Sequence, residues 1–176
     1  MAATTSIRTS GVWRTATALG LKTSGVWRNI TIGYTRVGGV WKTIFQANLT
    51  ATISANTTIQ NMRTLAIAAG WNQVDVVNFI LTINSGIYVR ATTTANYALD
   101  TGTPWPATST LTLINGGYVQ GKGGLGGNGE GVSIVGTAGA AGGHAINLQY
   151  NLSIDNANGY ILGGGGGGGG GSRVDV

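Results

Sequence analysis

The sequence predicts a mainly β protein in three parts: a triplicated β-hairpin module, one short helix with β-rungs, and a polyglycine bundle of polyproline-II-type helices. Three observations support this fold class. Tryptophan recurs at intervals of 14 residues near the N-terminus. Three later segments share one strand–turn–strand plan, and nine consecutive glycines occupy residues 163–171. We therefore expect an attachment module at residues 1–50, a helix and strand region at 51–120, and a glycine-rich region at 121–176.

Composition excludes several classes of protein. Glycine makes up 32 of 176 residues, against a usual ~7%. The count of only 2 prolines argues against collagen, and the hydrophobic fraction of 42% argues against a charge-driven disordered chain. The absence of cysteine excludes disulfides and thiolate metal sites. No apolar run is long enough to span a membrane, and the N-terminus lacks a signal-peptide core, so we expect no membrane insertion.

The N-terminal repeat comprises residues 7–20, 21–34 and 35–48. Each unit has a basic residue, a glycine-containing dipeptide, Val-Trp and a second basic residue. Two β-prone runs around such a dipeptide predict a hairpin, and three hairpins must pack together because one cannot bury its own apolar face. The tryptophans either form a shared core edged by solvated cations or present a pseudo-threefold surface to a trimeric partner; both can hold. The residues concerned are Trp13, Trp27, Trp41, Arg14, Arg28 and Lys42.

The middle of the chain predicts one helix and a series of rungs. Asn56 to Gly70 combine a capping box formed by Thr57 and Gln60 with an apolar stripe and a glycine stop. Residues 79–89, 111–119 and 152–161 each consist of an alternating apolar strand, an Asn/Gly turn and an aromatic strand start, which is typical of stacked rungs. Residues 91–109, which contain both prolines, predict an exposed loop.

Three glycine tracts follow the rungs. In residues 121–129, Lys122, Leu125 and Asn128 recur every third residue, and glycines recur at the same period in residues 136–143. Because a polyproline-II helix has three residues per turn, this period places side chains on one edge and leaves bare backbone for lateral packing. The run 163–171 has no side-chain edge, so we expect it to be an interior strand and the other two tracts to be exterior.

No motif supports catalysis or a cofactor. A formal GxGxxG at Gly121, Gly123 and Gly126 lacks the helix and the acidic residue of a dinucleotide site. His144 is the single histidine, and the five acidic residues are dispersed along the chain. We therefore expect no enzyme activity, no cofactor and no metal.

Several stretches resemble a known family. MRTLAIAAGWNQ (residues 62–73), LTLINGGYVQGKGGLGGNG and the segment that leads into the nine glycines resemble the glycine-rich tail-tip adhesins of bacteriophages, the receptor-recognising proteins of T-even-like phages. The likeness covers roughly residues 59–171. It implies a virion protein, made in the host cytoplasm, whose N-terminal part attaches to other tail or fibre proteins, expected to be trimeric. Its distal loops would bind a host saccharide or an outer-membrane protein.

By this resemblance, the Trp repeats are the attachment module and the inter-tract segments are the host-contact loops. The host-contact candidates are Glu130, Arg173, Asp175, Tyr97 and Trp105. The chain departs from the family in having three tracts where the family has many more. Either other chains complete the bundle, which favours a homotrimer, or the sequence is part of a longer adhesin. The alternatives are a structural cap or connector of the tail tip, an ice-binding protein, and a nucleic-acid binder suggested by the net charge of +5.

Overall fold

A computed structural model describes residues 6–9, 12–15, 19–23, 26–30, 32–37, 39–46, 48–131 and 135–172. Strand is the main regular structure of the described residues, with one short helix among them, as the sequence predicts. The chain divides into two compact units, Met1–Leu49 and Thr50–Val176.

The first unit contains three antiparallel strand pairs. In each pair the register places a tryptophan opposite the first basic residue of its repeat, and Arg8 opposite Trp13 is one example. The residues that join the two strands in the first and second pairs, and Gly38 of the third, lie outside the described residues, so the triplicated hairpin remains a prediction. The pairs are β1 (Ser6–Thr9) with β2 (Val12–Thr15), β3 (Leu19–Thr23) with β4 (Val26–Ile30), and β5 (Ile32–Val37) with β6 (Val40–Gln46).

The second unit is a stack of rungs whose strands form three sheets. The order of strands in the sheets is β16-β13-β10-β7, β17-β14-β11-β8 and β15-β12-β9. The strands are β7 (Asn48–Ile53), β8 (Thr57–Thr58), β9 (Gln60–Asn61), β10 (Asn78–Ile83), β11 (Tyr88–Arg90), β12 (Leu99–Asp100), β13 (Thr110–Asn115), β14 (Tyr118–Gln120), β15 (Ile146–Asn147), β16 (Leu152–Asp155) and β17 (Tyr160–Leu162).

The three rungs predicted from the sequence are confirmed. β10, β13 and β16 pair in parallel, as do β11, β14 and β17, which aligns the three similar sequence segments one above another. Alternate residues of β10 and β13 are buried, and Phe79, Leu81 and Leu113 are among the fully buried side chains. This alternation follows from the two-residue period of a strand, which sends every second side chain into the core. An additional rung, β7–β9, precedes the predicted three.

The predicted helix exists but begins later than expected. α1 spans Met62–Ala68, and its N-cap is Asn61, whose side-chain oxygen accepts a hydrogen bond from the Thr64 N–H at 3.1 Å. The expected capping residues do interact, since Gln60 Nε2 donates to Thr57 Oγ1 at 3.0 Å, but both lie in strands. Pairing of β8 and β9 with the next rung takes precedence over the local helix signal.

Residues 91–109 are not an exposed loop, and that prediction is wrong. They contain β12, and Ala98, Leu99 and Trp105 are buried within them. The Trp105 ring stacks on Trp71 with centroids 4.6 Å apart, and its Nε1 donates to the Thr101 carbonyl at 3.0 Å. A buried indole with a satisfied N–H contributes to core packing, so this segment closes one end of the apolar core.

Candidate functional site

The candidate site is built on three extended glycine-rich segments. We name them segment A (residues 121–130), which follows β14, segment B (residues 136–143), and segment C (residues 163–171), which follows β17. Each segment donates backbone hydrogen bonds of 2.7–3.0 Å to one neighbour and accepts them from the other. Segment A donates to C and the preceding Leu162, C donates to B, and B donates to A. The three segments therefore hold one another in a closed cycle.

The hydrogen bonds repeat every third residue. Segment A donates from Gly121, Gly124, Gly127 and Glu130, segment B from Thr137, Ala140 and Gly143, and segment C from Gly164, Gly167 and Gly170. One residue in three of each segment also faces the centre of the cycle, and in segment B these residues are Gly139 and Gly142, which are not the donors. A β-strand would alternate every second residue, so the spacing separates these segments from the sheets that precede them.

Glycine is required at the inward positions. A Cβ at Gly124 would overlap the carbonyl oxygen of Ala140, and a Cβ at Gly167 would overlap that of Leu125, both closer than 3.0 Å. The same holds for Gly121, Gly127, Gly139, Gly142, Gly164 and Gly170. The period-three glycines are therefore explained by close approach of backbones.

Segments A and C differ in the residues at their outward positions. Lys122, Leu125 and Asn128 of segment A are exposed, as their spacing predicts. In segment C only Gly164, Gly167 and Gly170 are half-buried and the other glycines are exposed, so its expected interior position would need neighbours beyond this chain's described residues and stays a prediction. Two neighbouring segments can cover only one side of it.

The base of the segments is anchored by a stack of tyrosine rings. Tyr118 lies between Tyr88 and Tyr160, with centroid distances of 4.4 Å and 5.1 Å and interplanar angles of 9°. The Arg90 guanidinium lies 4.2 Å from the Tyr88 ring centroid, at one end of the stack. Parallel register places these rings in column, and each stacked pair adds to strand pairing.

The far end of the segments carries a shallow depression of about 400 Å³. At about 3.1 Å per residue, segment A places Glu130 roughly 31 Å from the end of β14. The Glu130 N–H donates to the Gly171 carbonyl at 2.9 Å, so the two segments stay paired to their ends. The side chain of Val135 is 82% exposed at this end. The depression is lined by Glu130, Val135–Ala138 and residues 169–172.

The residues predicted for host contact do not form one cluster. Glu130 lies at the far end, whereas Tyr97 is half-buried near the base, where its ring lies 6.3 Å from that of His144. Trp105 is 7% exposed in the core, so its predicted place on a host-facing surface is wrong. Arg173 and Asp175 lie outside the described residues.

The predicted attachment residues stand on the strands of the first unit. Trp13, Trp27 and Trp41 occupy β2, β4 and β6, and Arg14, Arg28 and Lys42 each follow a tryptophan. Their backbone positions are described and their side chains are not.

The described part of the chain contains neither a metal-binding cluster nor a membrane-spanning helix. There, no three or more His, Cys, Asp or Glu side chains form a group able to hold a metal ion. No helix in that part of the chain has the length and apolar character needed to cross a membrane.

Asn115 joins the turns of two rungs, a role that was not predicted from the sequence. Asn115 is 2% exposed, its Nδ2 donates to Asn156 Oδ1 at 2.7 Å, and its Oδ1 accepts from the Gly117 N–H at 3.2 Å. The asparagine that recurs in the turn of each rung is the sequence signal that could have identified this contact. The contact holds the turns of two rungs together directly below segments A and C.

A family described as phage tail fibre adhesin Gp38 matches residues 48–175, which include all the rungs and the three glycine segments. No curated protein and no solved structure matched the chain.

Proposed function

Because the chain belongs to the Gp38 family of phage tail fibre adhesins, we propose that it recognises a host cell-surface component through the far end of its glycine segments. The observation that carries this proposal is the paired projection of segments A and C from the rung stack. A narrow scaffold of backbone-paired segments holds short loops away from the rest of the chain at low conformational freedom, which favours binding. The binding surface consists of the depression near Glu130 and Val135.

We infer that the three segments are polyproline-II-type helices packed as a small polyglycine bundle. The hydrogen-bond period of three and the inward glycines support this interpretation. The role of the bundle is mechanical, and the chain acts without catalysis: it binds a saccharide or an outer-membrane protein loop.

We infer that the first unit attaches the protein to the tail or fibre. Its three strand pairs have the same register over the four residue pairs that they share, so equivalent residues recur three times, which suits a trimeric partner. Replacing Trp13, Trp27 and Trp41 together by alanine is expected to reduce binding to the fibre and leave binding to cells unchanged. Loss of both activities would instead indicate a folding defect, which circular dichroism would detect.

Two exposed valines provide a matched test of the host-contact surface. Val135 is 82% exposed at the far end, and Val74 is 77% exposed in the turn before β10. We expect Val135→Asp to weaken binding of the purified protein to susceptible cells by about tenfold or more, and Val74→Asp to leave it unchanged. Binding is measured by flow cytometry with labelled protein.

The results of these binding measurements distinguish an adhesin from a structural cap or connector. Equal binding by the two valine variants would refute the placement of the host contact at the far end. Failure of the unaltered protein to bind susceptible cells, with retained binding to tail protein, would refute host recognition and favour a structural cap or connector.

A further inference from the structure

Segment C has more glycine than its own chain requires. Among the described residues, a Cβ in this run would be obstructed only at Gly164, Gly167 and Gly170. At Gly165, Gly168, Gly169 and Gly171 a Cβ would meet nothing within 4 Å, and at residues 163 and 166 only ordinary contacts at 3.9 Å. None of the run has the positive φ that excludes other residues. Alanine at the open positions would reduce the entropy lost on folding, so intrachain packing does not explain the glycines there.

The same positions carry unused backbone groups. Gly165, Gly168 and Gly171 accept hydrogen bonds from segment A, and the inward glycines donate to segment B. The other N–H and C=O groups of residues 163–171 make no hydrogen bond to any described residue. The carbonyls of Gly164 and Gly167 face segment B, but at the exposed glycines these groups form a face of bare backbone. It is the same kind of surface that the three segments use to bind one another.

Only another bare backbone fits this face closely. A partner with side chains toward segment C would hold the two backbones apart beyond hydrogen-bond distance. Segments A and B carry outward side chains, among them Lys122, Leu125 and Ala138. Among the described parts of this chain, segment C is the one extended segment bare on its outward side, and it is therefore its own best complement.

Segment C pairs with neighbouring segments that run in either direction. It pairs in parallel with segment A, since Gly124 donates to Gly165 and Gly127 to Gly168. It pairs antiparallel with segment B, since Gly167 donates to Ala140 and Gly170 to Thr137. A twofold axis perpendicular to the segments would make two copies of segment C antiparallel, and one running along them would make the copies parallel. Segment C already accepts neighbours in both orientations.

The exposed face continues into an unpaired sheet edge. β17 immediately precedes segment C and is the last strand of its sheet, with Tyr160 55% and Leu162 43% exposed. Exposed edge strands bind further strands readily. Apolar area is thus available beside the bare backbone.

From these observations we propose that two copies of this chain associate through the outward backbone of residues 163–171, segment C packing on segment C. The pair would join two three-segment cycles into a six-segment bundle. This association is independent of whether the far end binds a host, and the two can fail separately.

The test adds two methyl groups to the exposed face. In the double variant Gly165→Ala and Gly168→Ala, each Cβ points into open space in the single chain, and the hydrogen bonds to segment A are kept. Sedimentation velocity is run over a range of concentrations. We expect the unaltered protein to have the mass of two chains and the variant the mass of one, with a dissociation constant raised at least tenfold.

The matched control adds the same methyl groups to segment A. In the variant Gly123→Ala and Gly126→Ala each Cβ makes an ordinary contact at 3.7 Å, and segment A already carries outward side chains. We expect this variant to keep the two-chain mass. A single-chain mass for the unaltered protein, or an assembly that both double variants leave intact or both abolish, would overturn the proposal. Far-UV circular dichroism, unchanged in both variants, verifies that each is folded.

Discussion

A single methyl group placed inside the glycine cycle tests the close approach of its backbones. Gly124 lies opposite Ala140, whose carbonyl oxygen would overlap a Cβ at that position, while the Ala141 oxygen would lie at 2.8 Å. In the variant Gly124→Ala, segment B must move away from segment A. At least three hydrogen bonds meet in this layer: Gly124 to Gly165, Ala140 to Leu125 and Gly167 to Ala140.

The expected cost follows from those bonds. A net contribution of about 0.5–1.5 kcal/mol for each of three bonds gives a loss of roughly 1.5–4.5 kcal/mol in the free energy of unfolding. Gly126→Ala is the matched control, because its Cβ would lie 3.7 Å from the Gly168 oxygen, an ordinary contact. At this exposed position alanine is expected to change stability by no more than about 1 kcal/mol, in the stabilising direction.

Urea denaturation gives the global free energy, and amide hydrogen exchange resolves opening confined to the glycine segments. In Gly124→Ala the amides of Ala140 and Gly167 are expected to lose protection, while those of β10 and β13 keep it. If Gly124→Ala and Gly126→Ala have the same stability and the same protection pattern, the inward and outward sides have been wrongly assigned.

Three further predictions concern the rung stack. Trp105→Ala removes a ring that is 7% exposed and is expected to lower the free energy of unfolding by about 3–5 kcal/mol, measured by urea denaturation. Asn115→Ala leaves the buried Gly117 N–H without its acceptor and is expected to cost about 1–3 kcal/mol in the same assay. Tyr118→Ala breaks two ring stacks and Tyr160→Ala only one. The first should therefore destabilise more in thermal unfolding, by about 0.5–1.5 kcal/mol for the additional pair.

The rungs could be predicted from the sequence because their signal repeats. The Asn/Gly turns recur with the alternating apolar residues on each side, and parallel pairing of like with like follows directly. The sidedness of segment A was predictable for the same reason, since a period of three fixes which side chains point outward. Each of these predictions depended on a local period that one chain segment contains within itself.

The burial of residues 91–109 could not be predicted in that way. Two prolines and many threonines indicate a loop, yet Thr101 is fully buried, and its Oγ1 accepts from the Gln149 N–H at 2.8 Å. The partner lies 48 residues away, so no local pattern records the contact. The number of neighbours around segment C likewise depends on the rest of the fold, because the glycine run alone shows only what can pack closely.

The alignment of the glycine segments is set by the sheet beneath them. Tyr118 pairs with Tyr160 and Gln120 with Leu162 in the parallel strands β14 and β17. The next hydrogen bonds are from Gly121 to Leu162 and from Gly124 to Gly165, with no residue inserted between strand and segment. A run of glycines could shift by three residues along its neighbour at little cost in free energy. The hydrogen-bond pattern repeats every third residue, and no side chain distinguishes one register from the next. Side-chain contacts in the rungs, including the tyrosine stack and Asn115, remove this freedom at the base, and the fixed register then continues to Glu130 and Gly171. A change that shifts β17 against β14 should therefore displace the far end of the segments without altering any residue there.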